Sequence, residues 1–236
     1  MLKTAVVNLG CPKNEVDAER LVYLLDDAGF ELVDDPAAAR IIIVNTCAFI
    51  QPAVEEAIET ILELARYKQD GSCRILAVSG CLPQRYGAEL TAEIPEIDFL
   101  FGVADWCRIP QVLQQASGPE KIDARLHIGP LDYRECQNLP QAVTPPGAFA
   151  YLKISEGCDN RCTYCMIPAI KGRQQSVPLG MLLEQARRLA AGGVRELNIV
   201  AQDITAYGRD LPTDNGTLTD LLEKLCHISE LDRIRL

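Results

Sequence analysis

The sequence contains very little histidine, no long hydrophobic run and no excess of positive charge. His127 and His227 are the two histidines of the sequence, so zinc sites and catalytic triads that use histidine are disfavoured. No stretch approaches the roughly 18 apolar residues of a membrane span, and the apolar stretch at the N-terminus is too short for a signal peptide. We therefore expect a cytoplasmic protein without a membrane partner.

Acidic residues outnumber basic residues in this chain of 236 residues. Asp and Glu number 33 and Lys and Arg number 23, which gives a formal net charge of −10. Phosphate backbones are bound mainly through Lys and Arg, so direct binding of nucleic acid is disfavoured and a basic protein partner is favoured. The apolar fraction of 48% is that of a globular protein with a sizeable core, and the length predicts two domains.

The hydrophobic pattern of the first half predicts an α/β fold with an open parallel sheet. Apolar strand-like runs alternate with helical stretches, which is typical of such a sheet. Asn14 is predicted to cap a helix that ends at Gly29, and Pro52 is predicted to open a second helix. The sheet should have at least four strands, at Thr4–Val7, Ile41–Val44, Ile75–Val78 and Phe99–Val103.

Residues 137–147, which contain three prolines, have the composition of a linker. We therefore predict a first domain of residues 1–136 and a second domain of residues 148–236. The second domain repeats a strand–helix pattern, which would build the first part of a (βα) barrel, incomplete at its C-terminal end. Its predicted elements are strands at Phe149–Ile154, Glu196–Val200 and Arg233–Leu236 and helices at Leu179–Ala191 and Leu218–Cys226.

Three predicted strands of the first domain each run into a cysteine, namely Cys11, Cys47 and Cys81. The carboxyl ends of parallel strands share one edge of a sheet, so these cysteines should converge. Three thiolates suit an iron–sulfur cluster that keeps one iron open. Buried structural cysteines are the alternative, and the matching position after each strand favours ligands.

A second set of cysteines, Cys158, Cys162 and Cys165, follows a predicted strand with the spacing C-x3-C-x2-C. Three thiolates without a fourth ligand nearby would leave one iron of a cubane open for a small chelating molecule. The alternative is zinc, but a structural zinc site needs four protein ligands. The other cysteines lack ligand spacing and are interpreted as structural: Cys73, Cys107, Cys136 and Cys226.

The C-x3-C-x2-C loop, with Tyr164 before its last cysteine, resembles the signature of radical S-adenosylmethionine enzymes. Together with the three spaced cysteines upstream, it resembles the N-terminal portion of the methylthiotransferase family. Four segments resemble the RimO type of that family: Leu9–Asn14, Val44–Ile50, Ile154–Cys158 and Ala201–Gly208.

The resemblance implies two 4Fe-4S clusters, one on each cysteine set, and S-adenosylmethionine as a further cofactor. It also implies an external electron donor. We expect S-adenosylmethionine to contact Tyr164, Arg173, Gln202 and Asp203, and Lys171 is a further candidate. A solvated basic pair at Lys171 and Arg173, and an ordinary strand-end turn at Gln202 and Asp203, are the alternatives.

The activity implied by the resemblance is the addition of a methylthio group to the β-carbon of an aspartate in a basic small-subunit ribosomal protein. An electron from the second cluster would cleave S-adenosylmethionine, and the resulting radical would remove a hydrogen from that carbon. Sulfur would come by way of the first cluster, and a second S-adenosylmethionine would supply the methyl group. The alternatives are a transfer-RNA methylthiotransferase and a non-catalytic iron–sulfur module. Family members are longer, so we expect a fragment that does not methylthiolate by itself.

Overall fold

The computed structural model describes residues 2–116, 125–142, 148–212 and 215–236. The chain divides into two compact units, residues 1–132 and 133–236. The second unit thus begins at Tyr133, before the predicted linker, and residues 143–147 of that linker lie outside the described residues. Across the part of the chain that the structure describes, no helix has both the length and the apolar composition to cross a bilayer.

The first unit is built on a parallel sheet of six strands with the order β2-β1-β3-β4-β5-β6. All six residues of β3 are buried. A strand covered on both faces reads as a continuous apolar run, which is the pattern found here. The strands are β1 (Lys3–Asn8), β2 (Glu31–Leu32), β3 (Ile41–Thr46), β4 (Ile75–Gly80), β5 (Phe99–Phe101) and β6 (Leu126–His127).

Helices connect these strands, and the predicted start of the first helix is wrong. Cys11 occupies the N-cap position and Pro12 lies in the first turn, where the missing N–H of proline has no cost. The Asn14 side chain instead donates a hydrogen bond to the Thr46 carbonyl at 2.8 Å. The described helices of this unit are α1 (Pro12–Asp27), α2 (Gln51–Ala65), α3 (Tyr67–Asp70), α4 (Cys81–Glu93) and α5 (Ile109–Ala116).

The second unit contains a parallel sheet of three strands with the order β11-β10-β7. These strands and the helices α7 and α8 follow the strand–helix alternation predicted from the sequence, and the predicted α/β class is confirmed. Their apolar faces meet in a core that includes Leu152, Leu182, Leu197 and Leu221, all fully buried. The elements are β7 (Phe149–Lys153), β8 (Ser155–Glu156), α6 (Ile167–Ile170), β9 (Gln175–Ser176), α7 (Leu179–Ala191), β10 (Glu196–Val200), α8 (Leu218–Leu225) and β11 (Arg233–Arg235).

The pair β8 and β9 was not predicted from the sequence. These two strands pair antiparallel, with Ser155 opposite Ser176 and Glu156 opposite Gln175. Each has only two residues, which is too short for a hydrophobic period to be visible. The pairing matters because the second set of cysteines lies between the two strands.

Replacement of Ile43 by Ala should destabilise the first unit. Ile43 is fully buried in β3, between Val6 of β1 and Ala77 of β4. Loss of such a side chain leaves a cavity and costs about 2–5 kcal/mol of unfolding free energy. Urea unfolding can be followed by the fluorescence of Trp106, the single tryptophan, which lies in this unit.

The matched control is Leu62→Ala in α2, because 48% of the Leu62 surface is exposed. This substitution should change the free energy of unfolding by no more than about 0.5 kcal/mol. Equal losses in the two variants would contradict the assignment of β3 to the centre of the core.

Candidate functional site

Cys11, Cys47 and Cys81 follow the carboxyl ends of three adjacent strands. Thr46 of β3 pairs with Gly80 of β4, so Cys47 and Cys81 leave the sheet at the same level. Asn8 of β1 pairs with Asn45, and the Leu9 N–H donates to the Asn45 carbonyl at 2.9 Å. The segment that leads to Cys11 therefore leaves from the same edge. Ligation of a metal by these cysteines stays a prediction.

Asparagine side chains join the loops at this edge of the sheet. The Asn45 amide donates to the Asn8 side chain at 3.0 Å and to the Asn14 carbonyl at 2.9 Å. The Cys11 thiol lies 3.9 Å from the Asn14 side-chain oxygen. Because Asn14 also donates to the Thr46 carbonyl, the start of α1 is attached to the end of β3. The loops around Cys11 and Cys47 are thereby held to each other.

Gly80 allows Cys81 to begin a helix directly after a strand. Its φ of 99° lies in the left-handed region, and a Cβ atom there would come within 2.5 Å of the Thr46 carbonyl oxygen. Cys81 is the first residue of α4, and Cys11 is the N-cap of α1. Helix N-termini stabilise negative charge, which suits thiolates and a negatively charged cluster. The donor set of this edge therefore fits an iron–sulfur cluster.

The second set of cysteines lies in a loop whose two arms are joined at the base. The outgoing arm contains β8, the returning arm contains β9, and the Cys158 N–H donates to the Gly172 carbonyl at 3.1 Å. Gly157 has a φ of 75°, and a Cβ atom there would lie 2.1 Å from the Arg173 carbonyl oxygen. The close approach of the two arms thus requires glycine at this position.

Backbone N–H groups within this loop point at two of the three sulfur atoms. The Asn160 N–H donates to Cys158 Sγ at 3.4 Å, and the Ile167 N–H donates to Cys165 Sγ at 3.5 Å. The Cys165 N–H donates to the Cys162 carbonyl at 3.1 Å, which tightens the turn between these two cysteines. Hydrogen bonds to ligand sulfur are one of the ways by which proteins tune iron–sulfur clusters. The chemistry of the loop therefore fits such a cluster.

Among the residues that the structure describes, no three His, Cys, Asp or Glu side chains lie close enough together to hold one metal ion. This finding concerns mononuclear sites such as the zinc alternative. A four-iron cubane is larger than a single tetrahedral ion, so its ligand sulfur atoms are farther apart. Cluster ligation by the two cysteine sets therefore stays a prediction.

The remaining cysteines lie outside both sets. Cys107 lies in the short helical turn Trp106–Arg108, and Cys136 is buried. Cys73 is buried, and burial raises the pKa of its thiol. Cys226 is exposed at the C-cap of α8. None of the four follows the carboxyl end of a strand in the way that Cys47 and Cys81 do.

Two of the residues predicted to contact S-adenosylmethionine lie exposed in the loop region. Tyr164 is 84% exposed. Arg173 pairs with Asp159 at 3.2 Å between Nε and Oδ1, and the hydrogen bond from Arg173 lowers the pKa of the Asp159 carboxyl. Both members of this pair are exposed, so the pair contributes little to stability.

The other two predicted contact residues lie at the end of β10 and are joined to the cysteine loop. The Gln202 amide donates to Glu156 Oε2 at 2.8 Å. Asp203 Oδ2 accepts a hydrogen bond from the Asn160 side chain at 2.8 Å, and Asp203 Oδ1 accepts from the Thr205 hydroxyl at 2.7 Å. The bond from Thr205 is the main reason that the pKa of Asp203 is lowered. These contacts hold the strand end against the loop.

A buried group of charged residues at this place was missed by the sequence interpretation. Lys153 Nζ lies 2.6 Å from Glu156 Oε1, and Lys171 Nζ lies 3.5 Å from Glu156 Oε2. Burial alone would raise the pKa of Glu156, but the charges of the two lysines outweigh burial and hold it well below its usual range. The available signal was the presence of two charged residues within the apolar run around Leu152 and Ile154.

The sequence matches two family models. Residues 3–102 match the uncharacterized protein family UPF0004, and residues 152–236 match the radical SAM superfamily. Curated relatives named ribosomal protein uS12 methylthiotransferase RimO include those of Geobacter sulfurreducens, at 48% identity, and Trichlorobacter lovleyi, at 46% identity; both alignments cover 99% of this chain. Over nearly all of its length the chain is similar to part of these RimO proteins. It spans about half the length of these relatives, 52% and 51% respectively.

Solved structures of radical S-adenosylmethionine enzymes share the fold. The methyltransferase TsrM from Kitasatospora setae, determined with tryptophan and an S-adenosylmethionine analogue, has a TM-score of 0.60 at 16% identity, over 95% of this chain and 51% of TsrM. The cobalamin-dependent enzyme OxsB has a TM-score of 0.63 at 15% identity, over 96% of this chain and 36% of OxsB. At this level of identity the likeness concerns the fold alone.

Replacement of Gly157 by Ala should prevent the cluster binding that is predicted for the second cysteine set. The added methyl group would collide with the Arg173 carbonyl and separate the two arms of the loop. Reconstituted Gly157→Ala protein should therefore hold about four irons per chain instead of about eight, as measured by a colorimetric iron assay.

The matched control is Gly180→Ala, because a Cβ atom at Gly180 meets nothing within 4 Å. This variant should retain the iron content of the unmodified protein. Full iron content in Gly157→Ala would show that the close approach of the two arms is not needed for cluster binding.

Proposed function

We propose that this protein is part of a radical S-adenosylmethionine methylthiotransferase that modifies the β-carbon of an aspartate in a basic small-subunit ribosomal protein. The observation that carries the proposal is the presence of two distinct cysteine sets in one chain, one at adjacent strand ends and one in a loop with N–H groups directed at sulfur. The names of the curated relatives support this substrate class. The net charge of −10 suits a basic protein substrate.

Cys158, Cys162 and Cys165 are proposed to hold the cluster that acts on S-adenosylmethionine. Three thiolates leave one iron open, and the bound cofactors supply the chemistry that breaks an unactivated C–H bond. The protein's own part is to fix the loop through β8, β9 and the hydrogen bonds to sulfur. Cytoplasmic reductants would serve as the electron donor.

Gln202 and Asp203 are proposed to contact S-adenosylmethionine next to this cluster. Gln202 Oε1 is buried and has no hydrogen-bond partner within the described ranges, so it is an acceptor that a bound amino group could use. The Asp203 carboxylate already accepts from Asn160 and Thr205, which fixes its orientation. Tyr164 and Arg173 are exposed on the same loop and are proposed as further contacts.

Cys11, Cys47 and Cys81 are proposed to hold the first cluster, an auxiliary cluster by way of which sulfur reaches the substrate. The asparagine network supports this proposal because hydrogen bonds within the protein join the loops that carry Cys11 and Cys47. A prearranged ligand set loses less conformational entropy when a cluster binds.

Anaerobic reconstitution should load about eight irons per chain, four for each cluster. Replacement of Cys158, Cys162 and Cys165 by Ala should leave about four, and so should replacement of the other three, because the two sets are independent. The control is Cys226→Ser, an exposed cysteine outside both sets, which should retain all of the iron. Four or fewer irons in the unmodified protein would contradict the proposal of two clusters.

Reduced, reconstituted protein should cleave S-adenosylmethionine to 5′-deoxyadenosine, and the Cys158→Ala variant should not. The assay contains sulfide, a small-subunit ribosomal protein and transfer RNA, with chromatography for 5′-deoxyadenosine and mass spectrometry for adducts. A methylthio adduct, where formed, should lie on an aspartate of the ribosomal protein. An adduct on transfer RNA would contradict the proposed substrate, and a loaded protein without cleavage would contradict the radical chemistry.

A further inference from the structure

Lys153, Glu156 and Lys171 form a buried charged group that the proposed chemistry does not use. Their side chains are 5%, 2% and 4% exposed, respectively. Glu156 Oε1 accepts a hydrogen bond from Lys153 Nζ at 2.6 Å. Glu156 Oε2 accepts a hydrogen bond from the Gln202 amide at 2.8 Å and lies 3.5 Å from Lys171 Nζ. One carboxylate is therefore shared by two cations and one amide.

This charged group lies at the base of the loop that carries the second cysteine set. Glu156 ends β8 on the outgoing arm, two residues before Cys158. Lys171 lies on the returning arm, next to Gly172, whose carbonyl accepts the Cys158 N–H. Lys153 ends β7, and Gln202 follows β10. The Glu156 carboxylate thus joins both arms of the loop to the ends of two strands of the sheet.

Charges at such a place act strongly on their surroundings. Buried groups are screened much less by water and salt than exposed groups. Reduction of an iron–sulfur cluster adds an electron, so nearby positive charge stabilises the reduced form, and the net charge around a cluster is one of the factors that set its reduction potential.

We propose that Lys153, Glu156 and Lys171 position the Cys158 loop and that the charge of this group sets the reduction potential of the cluster held there. The inference rests on the proposed binding of a cluster by Cys158, Cys162 and Cys165. Within the group, Glu156 is the positioning residue, because its carboxylate makes the contacts that join the two arms.

The test changes the charge of the group in both directions. Lys171→Met removes one positive charge and should shift the potential of the second cluster to a more negative value. Glu156→Gln removes one negative charge and should shift it to a more positive value. The double variant restores the original net charge of the group, so its potential should return close to that of the unmodified protein. The potentials are measured by redox titration with electron paramagnetic resonance, on protein whose first cluster has been removed by the Cys11→Ala, Cys47→Ala and Cys81→Ala substitutions.

A purely structural role of the charged group predicts a different ranking of the reduction potentials among these variants. The double variant would then shift the reduction potential at least as much as either single substitution, and it would not return to the potential of the unmodified protein. Lys171→Arg keeps the charge and should keep the potential. Lys224→Met on α8 is the matched control, because Lys224 is exposed and should not shift the potential. Where Glu156→Gln fails to load iron, the comparison of Lys171→Met with Lys171→Arg still decides the question, because only the first of these substitutions changes the charge.

Positioning is tested without any metal, by amide hydrogen exchange of the protein before reconstitution. The Cys158 amide donates to Gly172, so Glu156→Gln should increase its exchange rate about tenfold or more while the core strand β10 keeps its protection. Unchanged exchange at Cys158, or potentials that do not follow the charge, would overturn this inference. Failure of the unmodified loop to bind any cluster would instead overturn the proposed function.

Discussion

Parallel strand pairing in register is the constraint on which the candidate sites depend. In the first unit, the pairing of β1, β3 and β4 makes three separate segments leave the sheet at one edge, and a cysteine follows each strand. In the second unit, β7 pairs with β10 so that Lys153 lies opposite Val200, which places the segment after each strand on the same side. A shift of register in either sheet would separate residues that are far apart in sequence. The sites therefore depend on the buried apolar strands as much as on the polar side chains.

The two cysteine sets are held by different physical means. The first set comes from segments distant in the chain, and side-chain hydrogen bonds from Asn14 and Asn45 hold two of its loops together. The second set lies within eight consecutive residues, and its shape comes from the short β8–β9 pair and from N–H groups directed at sulfur. Loss of tertiary structure should therefore disperse the first set before the second, since local contacts cost less entropy to form.

The sequence predicted the long elements and the cysteines but not the polar contacts between them. The continuous apolar run Ile41–Val44 predicted a buried strand, and the helical spacing of apolar residues in Leu179–Ala191 predicted a helix. The structure contains both elements. The prediction of Asn14 as the N-cap of α1 was wrong. The Asn14 side chain instead donates a hydrogen bond to the Thr46 carbonyl at the end of β3, a contact that no local pattern reveals. Strands β2, β6, β8 and β9 have two residues each and leave no period. The partners of Glu156 come from positions 153, 171 and 202, which only the fold brings together.

The buried charges of the second unit are not explained by stability. Removal of charged groups from water is costly, and well-packed apolar residues in place of a buried ion pair are often as stable or more stable. Lys153, Glu156 and Lys171 are nevertheless buried, in a unit whose core is otherwise built of apolar side chains. What an apolar replacement would lose is directional attachment of the loop arms and fixed charge beside Cys158. The position of these charges, at the base of a loop with three cysteines, is the feature that the proposed role beside a cluster would account for and that packing does not.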